Sequence, residues 1–217
     1  MYLYLYHSDN RDKKQKGKEQ ETRSDFSDRL VRKALREYCQ HQQLLIPDEE
    51  LREPIIERDG KGKPYFAGLS AAGLQGRPPI HFSVSHSGSW WGCLMAEEPV
   101  GFDIEVPRES LNYIKIAQRF FTKEEWEWIL IAGLDAFYDV WVRKEAYVKY
   151  LGSGLAEGLD SFSVIEYGKF STQVISRKCD CRNHLPCFIR PCEIGDRVKA
   201  AYCSASGNPI KAMLSLE

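Results

Sequence analysis

Two short segments carry the side chains best suited to chemistry. In Val100-Gly101-Phe102-Asp103-Ile104-Glu105 the alternation is that of a strand, which turns Asp103 and Glu105 to one side and leaves Val100, Phe102 and Ile104 to pack on the other. In Trp141-Val142-Arg143-Lys144-Glu145-Ala146-Tyr147-Val148-Lys149 the pattern is helical, with Glu145 and Lys149 four apart on one face. Where such a strand and helix meet, three carboxylates converge beside one ammonium. Hard oxygen donors in that number suit Mg²⁺, which keeps some waters and draws the rest of its shell from phosphates. The lysine meets the same phosphates as a compact charge. This is a constellation for chemistry on a pyrophosphate.

Taken singly, each half has an ordinary explanation. Asp103 and Glu105 would serve as the solvent face of an edge strand. Glu145 and Lys149 would make a helix-surface ion pair worth about 0.2–0.5 kcal/mol. Two further features favour the joint reading. Phe82-Ser83-Val84-Ser85-His86-Ser87-Gly88 ends a strand in a small polar turn, where amides, hydroxyls and an imidazole can grip a phosphate. Ser85 and His86 as nucleophile and base are the rival there, but neighbours on a strand face apart and no aspartate partner is evident. Lys63, in the turn Gly62-Lys63-Pro64, is either a second phosphate contact or an exposed loop lysine.

The elements that position these residues follow from periodicity. Met1 to His7 reads as a first strand, and a polar stretch with Lys13, Lys14, Lys16 and Lys18 as a loop. From Ser24 a helix sets Phe26, Leu30, Val31, Ala34, Leu35 and Tyr38 on one face and Arg23, Arg29, Arg32, Lys33 and Arg36 on the other. Residues 54–79 read as loop. Ile80–Ser85 and Trp90–Ala96 alternate as strands, and Val100–Glu105 is expected to pair back on the latter through the turn at Glu97-Glu98-Pro99. A helix spans Leu111–Phe121. Thr122 caps another, with Glu125 completing a capping box and Gly133 as terminator; a third helix runs from about Phe137 to Leu151 and ends at Gly152. Five β-like runs follow: 161–166, 170–176, 187–193, 197–204 and 210–216. The fold class is therefore α+β, with an N-terminal half over 1–105 and a C-terminal half over 106–217.

Composition bounds the function. A chain of 217 residues with 43% hydrophobic and 28% charged residues is an ordinary globular protein able to bury a core. A formal net charge of −1 points to neither nucleic acid nor an anionic membrane. There is no transmembrane run, and the N-terminus is a poor signal peptide, so a cytoplasmic location is expected. Seven cysteines, an odd number, fit reduced thiols. Cys179, Cys181, Cys187 and Cys192 cluster around His184, but C-x-C followed by C-x₄-C matches no usual zinc knuckle, so single cysteines facing core or solvent are expected.

The order of Gly62-Lys63-Pro64, Phe82 to Gly88, Val100 to Glu105, Arg119-Phe120-Phe121-Thr122-Lys123-Glu124-Glu125 and Trp141 to Lys149 with Gly152 resembles the 4′-phosphopantetheinyl transferases, in particular the larger, surfactin-synthetase-activating type. The likeness is good over residues 23–166 and looser beyond. It implies two similar α+β halves about a pseudo-twofold axis, coenzyme A in the cleft between them, and a monomer. It implies Mg²⁺-dependent transfer of the phosphopantetheine arm to a serine of an acyl or peptidyl carrier protein, with release of adenosine 3′,5′-bisphosphate. By resemblance, Asp103, Glu105 and Glu145 are the metal ligands and Lys149 contacts the pyrophosphate. Lys144 is a further phosphate contact, Ser85 and His86 hold the 3′-phosphate region, and Lys63 and Arg23 meet the nucleotide end. Glu125 matches a family glutamate that a capping box explains equally well. Glu145, or a water held on the cation, accepts the serine proton. Phe102 stands where the family usually has Ile, a change expected to alter packing only. The rivals are a binding module for coenzyme A or a carrier protein, a metal-dependent phosphatase of nucleotide pyrophosphates, and a zinc-stabilised interaction protein.

Overall fold

The computed structural model describes residues 1–8, 22–69, 74, 76–154, 158–176 and 187–217. Lys13, Lys14, Lys16, Lys18, Cys179, Cys181 and His184 lie outside them. In chain order the elements are β1 (Tyr2–His7), α1 (Arg23–Gln42), α2 (Asp48–Arg52), β2 (Ile55–Arg58), β3 (Pro64–Ala67), β4 (His81–Ser87), β5 (Trp90–Ala96), β6 (Val100–Glu105), α3 (Tyr113–Phe120), α4 (Lys123–Leu151), β7 (Phe162–Glu166), β8 (Lys169–Ser176), β9 (Phe188–Pro191), β10 (Lys199–Ser204) and β11 (Ala212–Ser215).

Four layers result. The first sheet has the order β11-β1-β5-β4, the second β6-β10-β9-β8-β7. Helix α1 lays Leu30, Val31, Ala34, Leu35 and Tyr38 on one face of the first sheet, against Tyr4, Phe82, Trp91 and Met95. The other face of that sheet offers Leu3, Leu94 and Ala96 to Val100, Phe102, Ile104, Ala200 and Tyr202 of the second. Helix α4 covers the far side, against Ile189, Ala201 and Cys203. Strand alternation accounts for this division: Ala200 and Tyr202 of β10 serve one core, Ala201 and Cys203 the other.

Three expectations are corrected. Strand β6 does not pair with β5; it runs antiparallel to β10, Asp103 opposite Ala201, and forms an edge of the second sheet. Residues 54–79 are not all loop: β2 and β3 form an antiparallel hairpin with Ile56 opposite Phe66. The sheets also do not divide at residue 105. Strand β6 belongs to the second sheet, and β11 returns to the first, parallel to β1.

Two glycines set the spacing around β6. At Gly101 a Cβ would lie 1.9 Å from the Ala146 carbonyl oxygen and 2.4 Å from the Tyr150 nitrogen, so α4 rests directly on the β6 backbone. At Gly92 a Cβ would lie 2.6 Å from the Phe102 ring, which is fully buried in the space the missing side chain leaves. The large residue at 102 is thus matched by the smallest one at 92.

Helix α4 begins with the expected capping box: Glu125 N–H donates to Thr122 Oγ1 at 3.3 Å, and Thr122 N–H to Glu125 Oε2 at 3.0 Å. Gly133 breaks the helix with φ 84°, and helical structure resumes toward the site. Gly152, at φ 65°, ends it as expected, its N–H bonded to the Val148 carbonyl.

Candidate active site

Strands β4 and β6 are edges of different sheets that run side by side without a backbone ladder. Serine hydroxyls bridge them instead. Ser83, Ser85 and Ser87 alternate on β4, so all three face β6. Ser83 Oγ accepts the Phe102 N–H at 2.9 Å. Ser85 Oγ donates to Asp103 Oδ1 at 2.7 Å. Ser87 Oγ donates to Glu105 Oε2 at 2.5 Å and accepts the Val106 N–H at 3.1 Å. Each acidic side chain of β6 is thereby oriented by a hydroxyl from its neighbour. His86, between two of these serines, points the other way and is exposed.

Helix α4, seated on Gly101, adds Lys149 and Glu145 from one face. Lys149 Nζ lies 2.7 Å from Asp103 Oδ1 and donates to the Val84 carbonyl at 3.3 Å. Burial pushes the Glu145 carboxyl up to about 7; the Asp103 charge and, to a lesser degree, Glu105 act in the same sense, and Lys149 opposes them. Burial also raises Glu105, which its Ser87 hydrogen bond counteracts and Asp103 reinforces. Asp103 and Glu105 thus both act on the Glu145 carboxyl, and Asp103 on that of Glu105.

Among the described residues no three His, Cys, Asp or Glu side chains make a ready-made metal cluster. The donor set nonetheless fits a hard divalent cation. Asp103 Oδ2 is buried without a hydrogen-bond partner, and an orphaned carboxylate oxygen of this kind is costly unless a cation or donor meets it. Burial, reinforced by the Asp103 charge, raises the pKa of Glu145 and of Glu105, a bias that a cation at this floor would offset. Every donor is a carboxylate oxygen, the preference of Mg²⁺.

Two clefts open from this floor. One, of about 490 Å³, is lined by Glu145 and Lys149 together with Arg23, Arg58, Lys61, Lys63 and His86. Its cations outnumber its carboxylates, which suits a polyanion. The other, of about 680 Å³, is lined by Glu105, Arg108, Tyr6, Phe26, Trp90 and Trp91. Arg23, Ser27 and His86 line both and so stand between them.

Not every expected residue reaches the cleft. Lys144 does not. It is fully buried, paired with Glu125 Oε2 at 2.8 Å, and donates to the carbonyls of Leu159 at 2.7 Å and Phe162 at 2.6 Å. Adjacent helix residues point about a quarter-turn apart, so a neighbour of Glu145 is turned inward. Glu125 is buried too; beyond its capping role it accepts the Val164 N–H at 2.8 Å and the Ser163 hydroxyl at 3.2 Å. Ser85 spends its hydroxyl on Asp103. Lys63 lines the cleft, but its amine ties two elements together, donating to the carbonyls of Tyr150 at 2.8 Å and Val100 at 3.3 Å. Cys187 packs in the core under α4 and Cys192 in the core between the sheets, so these two of the four clustered cysteines do not share a site. Sequence reasoning missed Ser83, Ser87, Arg58, Lys61 and Arg108. The alternation of the three serines was the available signal for the first two.

Comparison with known proteins gives the family. Residues 99–203, which contain all four side chains of the floor, match the model of the 4′-phosphopantetheinyl transferase superfamily. A 4′-phosphopantetheinyl transferase of Bacillus subtilis is 36% identical over 150 residues, covering 66% of this chain and 60% of the relative. The Sfp protein of Bacillus subtilis strain 168, a 4′-phosphopantetheinyl transferase, is 37% identical over 134 residues, covering 59% and 56%. These matches span less than two thirds of either relative. The 4′-phosphopantetheinyl transferase gsp of Aneurinibacillus migulanus is 31% identical over 186 residues, 84% of this chain and 68% of that protein. The chain belongs to the 4′-phosphopantetheinyl transferase family, in its Sfp-type branch.

Proposed function

We propose that this protein transfers the 4′-phosphopantetheine arm of coenzyme A to a serine of an acyl or peptidyl carrier protein, with Mg²⁺ as cofactor. The observation that carries this reading is the contact of Lys149 with Asp103, and the action of Asp103 and Glu105 on the Glu145 carboxyl, beside a cationic cleft that Glu145 and Lys149 line, in a chain of this family.

Asp103, Glu105 and Glu145 would hold the cation, which when bound neutralises and orients the two phosphates. Arg23 and His86, at the boundary of the two clefts, would bind the 3′-phosphate end of coenzyme A. The carrier serine oxygen forms a bond to the β-phosphorus, and the bond from that phosphorus to the bridging oxygen breaks. Adenosine 3′,5′-bisphosphate leaves. Lys149, within reach of the floor, stabilises the charge growing on the leaving phosphate. Glu145, on the floor beside the reacting phosphates, would take the serine proton.

Intact-mass spectrometry of apo carrier proteins incubated with this protein, coenzyme A and Mg²⁺ tests the proposal. One added phosphopantetheine, abolished by a chelator, is the expected result. Absence of the gain with fatty acid, polyketide and peptide carriers, in a protein that binds coenzyme A, would make it a binding module instead.

A further inference from the structure

We infer that Lys149 is a resident counter-ion of Asp103 that couples divalent-cation binding to pyrophosphate binding. The inference rests on the reading of the cleft as a pyrophosphate site.

The two oxygens of Asp103 are unequally served. Oδ1 takes both the Lys149 ammonium at 2.7 Å and the Ser85 hydroxyl at 2.7 Å, while Oδ2 is buried with no partner. The lysine is 29% exposed and the aspartate 6%, so the pair sits where screening is weak and separation is costly. A cation that takes up Asp103 must therefore share it with an ammonium already in contact. A pyrophosphate that arrives without a cation meets Asp103, Glu105 and Glu145 with one amine to offset them. Arriving together, the two ligands resolve both conflicts: the phosphates give Lys149 a new anion, and the cation takes its place on Asp103. The amine has the freedom for this, because its other bond, to the Val84 carbonyl, is long at 3.3 Å. Each ligand then raises the affinity of the other by the same factor.

Manganese binding, followed by the loss of the free-ion paramagnetic resonance signal, tests the inference without reference to turnover. In the wild-type protein Mn²⁺ affinity is expected to rise roughly 5–150-fold when coenzyme A or inorganic pyrophosphate is added, the usual range for coupled sites. Lys149→Ala and Lys149→Met, each verified as folded by thermal unfolding, are expected to bind Mn²⁺ alone more tightly than wild type and to gain less from either ligand. Lys123→Ala removes an equal charge whose partner is Glu127, outside the site, and is expected to leave Mn²⁺ affinity near wild type. Unchanged or weaker Mn²⁺ binding in the Lys149 variants would overturn the counter-ion role, as would an equal gain in Lys123→Ala. Failure of coenzyme A to bind any of these proteins would fall on the proposed function, while the comparison with Mn²⁺ alone still decides what Lys149 does.

Discussion

Glu145 holds the most displaced acidity of the floor, and its consequence for stability has a definite sign. Its carboxyl rises from an ordinary 4.5 to about 7 on folding, so the folded state holds the proton more tightly than the unfolded chain. Its effect on stability is therefore absent below about pH 4.5, grows as a penalty between pH 4.5 and 7, and is constant above. At about 1.4 kcal/mol per unit the loss is on the order of 3–4 kcal/mol. Urea unfolding of chelator-treated protein across this window should show wild type losing stability relative to Glu145→Gln as pH rises; parallel curves would mean that the carboxyl is not buried among like charges. Lys144, its neighbour, makes the opposite case. Its charge belongs to a buried pair with Glu125, so Lys144→Ala should cost about 3–5 kcal/mol of stability. Coenzyme A affinity of the folded fraction should stay unchanged. Weaker coenzyme A binding at intact stability would return Lys144 to the phosphates. The pattern Lys144-Glu145 alone does not separate these roles, because which way each side chain turns depends on what α4 rests upon.

At the scale of elements, the sequence was most legible where the signal is periodic and local. The face of α1, the cap at Thr122, the stop at Gly152 and the two-sidedness of β6 all follow from spacing. The partner of β6 did not follow. A short turn after β5 favours a hairpin locally, but β6 lies against β10, nearly one hundred residues later, and no local pattern encodes that choice. The β2–β3 hairpin was hidden by its glycines and prolines. Close contact between β5 and β6 persists without pairing, through Gly92 and Phe102. A methyl group at 92 would enter the ring of Phe102, so Gly92→Ala should cost about 1–3 kcal/mol by overpacking. Phe102→Ile should cost about 1 kcal/mol or more by leaving space. Combined, the two should cost clearly less than their sum. A double-mutant cycle by urea denaturation reads this directly, and strict additivity would show that the two residues do not share the space.

At the scale of the whole molecule, the two sheets exchange strands across the sequence. The floor of the site needs both: Ser85 and Ser87 come from the first sheet, Asp103 and Glu105 from the edge of the second, and Glu145 and Lys149 from α4. The chain is threaded accordingly. Strand β6 crosses into the second sheet, and β11 recrosses to pair with β1, burying Leu216 against the first core. A fragment of residues 106–217 would lose the β6 edge on which α4 lies closest, baring Ala201, Cys203 and the underside of α4 along that seam. It would also carry β11 with no sheet to join. Each of these leaves buried apolar surface and backbone groups unmet, so the fragment should show no cooperative unfolding transition by circular dichroism. Mixed with residues 1–105 it should regain one, because the missing edge and the missing sheet return together. A cooperative transition in residues 106–217 alone would mean that the second sheet is a self-sufficient unit, and that the site is assembled by docking rather than by folding.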